Sequence, residues 1–147
     1  MPKFLIACCK MIYVIVPVAL AAGLAYWFNL RLHIRQITHN KKERQQGLFL
    51  AHLTTAEDNI VKYWGNDASD NKLAQSVIKS IEFLFKLISS HGDKFSSADT
   101  KARLEDLIIE LHRVATGGSF QSGNSASPDV ISKSLGITGE MKIYLFD

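Results

Sequence analysis

The residues best equipped for metal or nucleophilic chemistry are five histidines and two cysteines. His33, His39, His52, His91 and His112 contain no His-x-x-x-His pair, and no cysteine stands at zinc-ligand spacing from any of them. Glu110-Leu111-His112 differs from the Glu-x-x-His of carboxylate-bridged di-iron sites, and its spacing sends the two side chains to different helix faces. Cys8 and Cys9 are adjacent, which suits them poorly for an intrachain bridge; they read as small apolar residues lengthening the hydrophobic run that follows. Gly117-Gly118-Ser119 and Gly123-Asn124-Ser125 lack the Gly-x-x-x-x-Gly-Lys-Ser/Thr order of a phosphate loop and the strand that would aim it. The serines have no recognisable base and orienting acid, and Asp106 with Glu110 form an i,i+4 acid pair suited to a solvated face. The expectation is a non-enzymatic protein without cofactor, metal or small-molecule substrate.

Such a chain must act through where it sits. Met11–Leu30 is twenty residues without a charged side chain, and as a helix it spans about 30 Å, the hydrocarbon thickness of a bilayer. Lys3 and Lys10 precede it, whereas Arg31, Arg35, Lys41, Lys42 and Arg44 follow, which predicts a cytoplasmic C-terminal portion. Tyr26 and Trp27 lie at the downstream headgroup level, and with the five basic residues they make up the expected membrane interface. Pro17 lies mid-span, and Ala19 and Gly23 have the small-xxx-small spacing of a helix–helix contact. A cleavable signal peptide would use Ala19-Leu20-Ala21 as its site. Against it, the apolar run continues nine residues past Ala21 and meets a basic cluster that opposes export.

Charge is divided along the chain. Residues 1–44 carry seven Lys/Arg and one Glu, a net +6, whereas residues 45–147 carry ten Lys/Arg and thirteen Asp/Glu, a net −3. The basic excess therefore belongs to the membrane flank, where it suits anionic lipid, and a nucleic-acid partner is not expected.

Leu30, Ile34 and Ile37 continue at 4,3 spacing through Lys41, Arg44, Leu48, Ala51 and Thr55. The charged seam positions and Gly47 argue for a solvated, lipid-facing basic helix over residues 31–53. Thr54-x-x-Glu57 has capping-box spacing and predicts a new helix through Trp64, stopped by Gly65 with Asn66-Asp67. Ser69 or Asp70 caps a helix to about Ser90, with Leu73, Val77, Ile81, Leu84 and Ile88 as its stripe. Phe83, Phe85 and Leu87 broaden that stripe, so this helix should be touched on more than one side. Ser96 or Ser97 starts another to about Ala115, giving an antiparallel hairpin. Residues 116–127 read as a flexible linker, and residues 128–147 as a short helix stopped by Gly136 plus an apolar tail. Ile143, Tyr144, Leu145 and Phe146 either dock on the hairpin or bind a partner.

The organisation expected is all-α: an N-terminal segment and transmembrane helix (1–30), a basic juxtamembrane helix (31–53), a helical-hairpin domain (54–115), a linker (116–127), and the short helix with its tail (128–147). Leu30–Asn40 (LRLHIRQITHN) resembles, through Ile34-Arg35-Gln36, a family of uncharacterised bacterial single-span membrane proteins. In that family an apolar span runs into a Gln-Ile-Arg-Gln-Asn-like segment followed by a cytoplasmic helical region. The resemblance implies a bacterial inner-membrane protein and no active site. The function expected is a membrane-tethered interaction or regulatory module contacting lipid and a protein partner, or self-associating. The rival is a small membrane-active effector that oligomerises through its span.

Overall fold

From Pro2 to Gly65 the chain is one unbroken helix, α1, with Pro17 inside it. Three further helices follow: α2 (Asn71–His91), extended by a 3-10 turn over Gly92–Lys94, α3 (Ala98–Ala115) and α4 (Pro128–Phe146). The computed structural model describes residues 2–65, 70–94, 96–118, 120–121 and 126–146, with backbone alone for 2–14 and 94. Among the described residues the chain is all-helical and without strands, a long N-terminal apolar helix followed by a smaller helical domain. It forms two compact units, Met1–Lys41 and Lys42–Asp147.

The second unit is a four-helix bundle, and each helix brings a stripe at 3,4 spacing. Phe49, Leu53, Ala56, Ile60 and Tyr63 come from α1; Ala74, Val77, Ile81, Leu84 and Ile88 from α2; Leu104, Leu107, Ile108, Leu111 and Ala115 from α3. Ile137, Met141 and Leu145 of α4 complete the core. Burying each of the larger aliphatic or aromatic groups favours the fold by roughly 1.5–3 kcal/mol. Cross-helix bonds fix the order. Gln46 Nε2 donates to Leu145 O (2.7 Å) at one end of the α1–α4 pair, and Ser127 N donates to Trp64 O (3.0 Å) at the other, so the two run antiparallel. Asn59 Nδ2 donates to Ser76 O (3.4 Å), and the His52 ring packs at a tilt against Phe83 with centroids 4.2 Å apart, which sets α2 antiparallel to α1. Arg103 of α3 reaches Glu140 of α4 at 2.7 Å. The helices therefore alternate in direction around the core.

Local chemistry starts each element. Asp70 caps α2 by accepting from Lys72 N (2.8 Å) and Leu73 N (3.4 Å), and Ser97 caps α3 by accepting from Thr100 N (3.1 Å). Pro128 opens α4, where its missing N–H costs nothing. After α3, Gly117 is required by contact, because a Cβ there would stand 2.6 Å from Arg113 O, and Gly118 takes a left-handed φ of 63°.

Several sequence expectations give way here. No helix starts at Thr54: Thr54 Oγ1 and Thr55 Oγ1 donate back to Leu50 O and Ala51 O, and Glu57 turns to α4 instead of to a cap. The stripe Phe49-Leu53-Ala56-Ile60 passes through that point without a change of phase, so the helix has no reason to stop. The buried register is also one residue removed from the expected one, with Phe49 wholly buried and Leu48 45% exposed. The bundle unit accordingly takes in residues expected in the juxtamembrane helix. Gly136 does not end α4, because Ile137, Thr138, Met141 and Leu145 continue one buried stripe beyond it. Within 116–127, Gln121 N donates to Tyr63 Oη (2.8 Å) and Ser127 N to Trp64 O, so the expected linker is tied to α1 at two described points. Asn66-Asp67, Ser119 and Gly123–Ser125 lie outside the described residues.

Candidate membrane anchor and interaction surfaces

The candidate anchor, Met11–Leu30, lies in the first unit. By length and composition α1 is long and apolar enough to cross a membrane, and none of its most apolar stretch is buried. Ile15, Val16, Val18, Leu20, Leu24, Phe28, Leu30, Leu32, Ile34 and Ile37 are all exposed. Pro17 has no N–H, so one carbonyl of the preceding turn goes without its helical donor. Ala19 and Gly23 share a face, and the space above Gly23 is open to 4 Å.

At the downstream end two of the expected interface residues, Trp27 and Arg31, meet. Trp27 meets Phe28 edge-on at 5.2 Å, and the Arg31 guanidinium lies 5.0 Å from the Trp27 ring centroid, a cation–π contact allowed by their i,i+4 spacing. Tyr26, Arg35 and Lys41 are exposed on the same unit. Lys42 and Arg44 are exposed at the start of the bundle unit. For Lys3, Lys10, Cys8 and Cys9 the side chains lie outside the description.

The expected partner-binding tail is divided by the fold. Leu145 is buried, its carbonyl held by Gln46. Tyr144 is half-buried, with the Arg103 guanidinium 5.8 Å from its ring centroid. Hydrogen bonding to Glu140 and to Tyr144, together with the Glu140 charge, makes Arg103 hold its proton more tightly than an ordinary arginine. Ile143 and Phe146 are 64% and 66% exposed, because their helical positions point away from the stripe that docks. The tail thus docks as the last turns of α4 and presents two side chains outward.

The sequence reading passed over a groove between α2 and α3. It encloses about 250 Å³ above Ile81 and Ile108 and is walled by Glu82, Phe85, Ile109 and His112. Ile109 is 58% exposed although a polar partner would serve a soluble face better. The available signal was Phe85 and Ile109, each standing one position beside its helix's main stripe. Phe83, on the opposite flank of α2, leans on His52 of α1, and Leu87 is buried. Alpha2 is therefore touched from both sides, as its broad stripe implied.

A second groove, between α3 and α4, is charged: Glu110, Arg113, Lys133 and Glu140 surround Val114, Gly136 and Ile137. Asp106 is exposed on α3. Inside the α1–α4 contact, Glu57 accepts from Thr138 Oγ1 (2.5 Å) and Lys142 Nζ (2.7 and 2.9 Å), a cluster that fixes how α4 lies on α1. Among the described residues no group of three His, Cys, Asp or Glu side chains is placed to hold a metal ion. No family model, no curated protein and no solved structure matches the chain.

Proposed function

We propose that the chain is a single-pass protein of the bacterial inner membrane whose four-helix bundle stands on the cytoplasmic side and binds a protein partner. The observation that carries the reading is the helix surface from Ile15 to Ile37, apolar over most of its length and uncovered, with Arg31, Arg35, Lys41, Lys42 and Arg44 in and directly after it. Water would face that surface at a large cost, whereas hydrocarbon covers it at none. The excess of basic residues downstream favours retention of that flank in the cytoplasm. Tyr26 and the Trp27–Arg31 pair suit the headgroup layer, and the basic residues suit anionic lipid.

The bundle supports the binding half of the reading. It buries its own core, yet leaves Ile109, Ile143 and Phe146 outward. Tethering keeps such a surface close to other membrane proteins and raises its effective concentration toward them. That so much of the chain builds a closed core favours this reading over a bilayer-perturbing effector, which needs only the span.

The test is in-cell photocrosslinking from Ile109, Ile143 and Phe146, with exposed Asp58 as control. A discrete adduct from the apolar positions and none from Asp58 is expected. Equal labelling from Asp58, or no adduct anywhere, would end the partner reading. Reagent accessibility of a cysteine at Asp58 in intact cells checks orientation, and labelling from outside would reverse it.

A further inference from the structure

We infer that α1 pairs in parallel with α1 of a second copy, along a seam that begins inside the span and runs past its end. This rests on the membrane reading above and goes beyond it by naming the occupant of the exposed face. Val16, Leu20, Gly23, Trp27, Leu30, Ile34 and Ile37 follow one another at strict 4,3 spacing, seven consecutive seam positions of a left-handed coiled coil. They cover about 32 Å of helix at 1.5 Å per residue. In the structure the six side chains larger than glycine are 42% to 63% exposed, so none of the described residues occupies the seam.

Lipid covers only part of it. A span of Met11–Leu30 already uses the hydrocarbon thickness, and Ile34 and Ile37 come one and two turns later, interleaved with Arg31, His33, Arg35 and Gln36. A facing helix covers the apolar seam on both sides of that boundary, and a second copy supplies the same seam. Copies inserted in one direction must pair parallel and in register. The flanking positions permit this. Across such a pair Ala19 faces Leu24, Tyr26 faces Arg31 and His33 faces Thr38 of the other copy, so no fixed like charges are opposed. Gly23 leaves open space one turn from the bulky Trp27 ring. The next two seam positions are Lys41 and Arg44, whose like charges stop the pair beyond Ile37.

The experiment uses the full chain with Cys8→Ser and Cys9→Ser, and single cysteines introduced as Leu30→Cys, Leu32→Cys, Ile34→Cys, Arg35→Cys or Ile37→Cys. Each is oxidised in native membranes and read as disulfide dimer on a gel. Because bridging needs Cα atoms about 4.4–6.8 Å apart, the variants at 30, 34 and 37 should exceed those at 32 and 35 by about fivefold or more. Adding Ile34→Lys with Ile37→Lys should cut the Leu30→Cys dimer to the off-seam level. Equal yields at all five positions, or a maximum at 32 or 35, overturns the seam. An alkaline carbonate wash separates this from the anchor reading: a chain retained in membranes with a flat profile loses the seam alone, whereas a chain washed off with the 30-34-37 pattern intact keeps the seam and loses the anchor.

Discussion

Adjacent residues Leu48 and Phe49 should differ sharply in what they contribute to stability. Phe49 is wholly buried in the bundle core and Leu48 is 45% exposed on the other side of α1. Phe49→Ala removes a ring from a packed interior and should cost about 3–5 kcal/mol, transfer and cavity terms together. Leu48→Ala changes a half-solvated position without altering helix propensity much, and should stay within about 1 kcal/mol. For a domain of about 100 residues each kcal/mol moves the midpoint by roughly 4–8 °C, so Phe49→Ala should lower it by about 12 °C or more, while Leu48→Ala shifts it by under about 8 °C. Trp64 offers the probe, since it is 1% exposed with Phe120 and Tyr63 against its ring. Its only rival for emission is Trp27, the other of the two tryptophans, which Trp27→Phe removes. The assay is the emission shift of detergent-solubilised full-length protein on heating. Equal losses for the two variants, or a Phe49→Ala midpoint within 2 °C of its parent, would refute α1 as a member of the core.

Other expectations follow from the same packing. Ser134 Oγ is buried without a hydrogen-bond partner among the described residues, so Ser134→Ala should leave stability unchanged or raise it by about 0.5–1 kcal/mol in urea titration, and a loss of more than that would show the hydroxyl to be satisfied. Gly47 lies within α1 where an added Cβ would meet no described neighbour within 4 Å, and Gly47→Ala should gain about 0.5–1 kcal/mol; a loss would mean the position is crowded or bent. Glu57 is only 13% exposed and holds both Thr138 and Lys142, so Glu57→Ala should cost about 1–2 kcal/mol. Lys133→Ala, which breaks an ion pair whose side chains are 63% and 73% exposed, should cost no more than about 0.5 kcal/mol, and a reversed order in chemical denaturation would contradict the geometry.

The parts of the fold that could be read from residues alone were those decided locally. Asp70 and Ser97 have the side chains that satisfy the first amides of α2 and α3, and Val77-Ile81-Leu84-Ile88 has the helical period over about three turns. The continuity of α1 was hidden because Thr54-x-x-Glu57 is equally a capping box and two polar residues in mid-helix. What decides between them is Glu57 reaching Lys142, 85 residues away. Gly136 misled for the same reason, as its neighbours Ile137 and Met141 are held by α3 and the core. For the candidate surfaces, composition pointed to the anchor, since a bilayer acts on each stretch of helix by itself. It could not divide the tail, because Leu145 is covered by a core that includes α1 residues far earlier in the chain, where Gln46 also bonds the Leu145 carbonyl, 99 residues away. The α2–α3 groove requires two helices to be brought together before it exists.

The closure of the bundle has a consequence for how the protein is made. Phe49, Leu53 and Ile60 leave the ribosome on α1, but the helix that covers their α4 side is complete only at Phe146. At roughly 5–20 residues per second the intervening 80 or so residues take about 4–16 s to translate, during which that stripe is unsealed. A nascent chain paused in that interval presents a greasy, half-built bundle, which chaperones or quality-control proteases would meet first. Of these four helices the first to be synthesised is thus the last to be sealed, and slow codons between α3 and α4 would prolong its vulnerability.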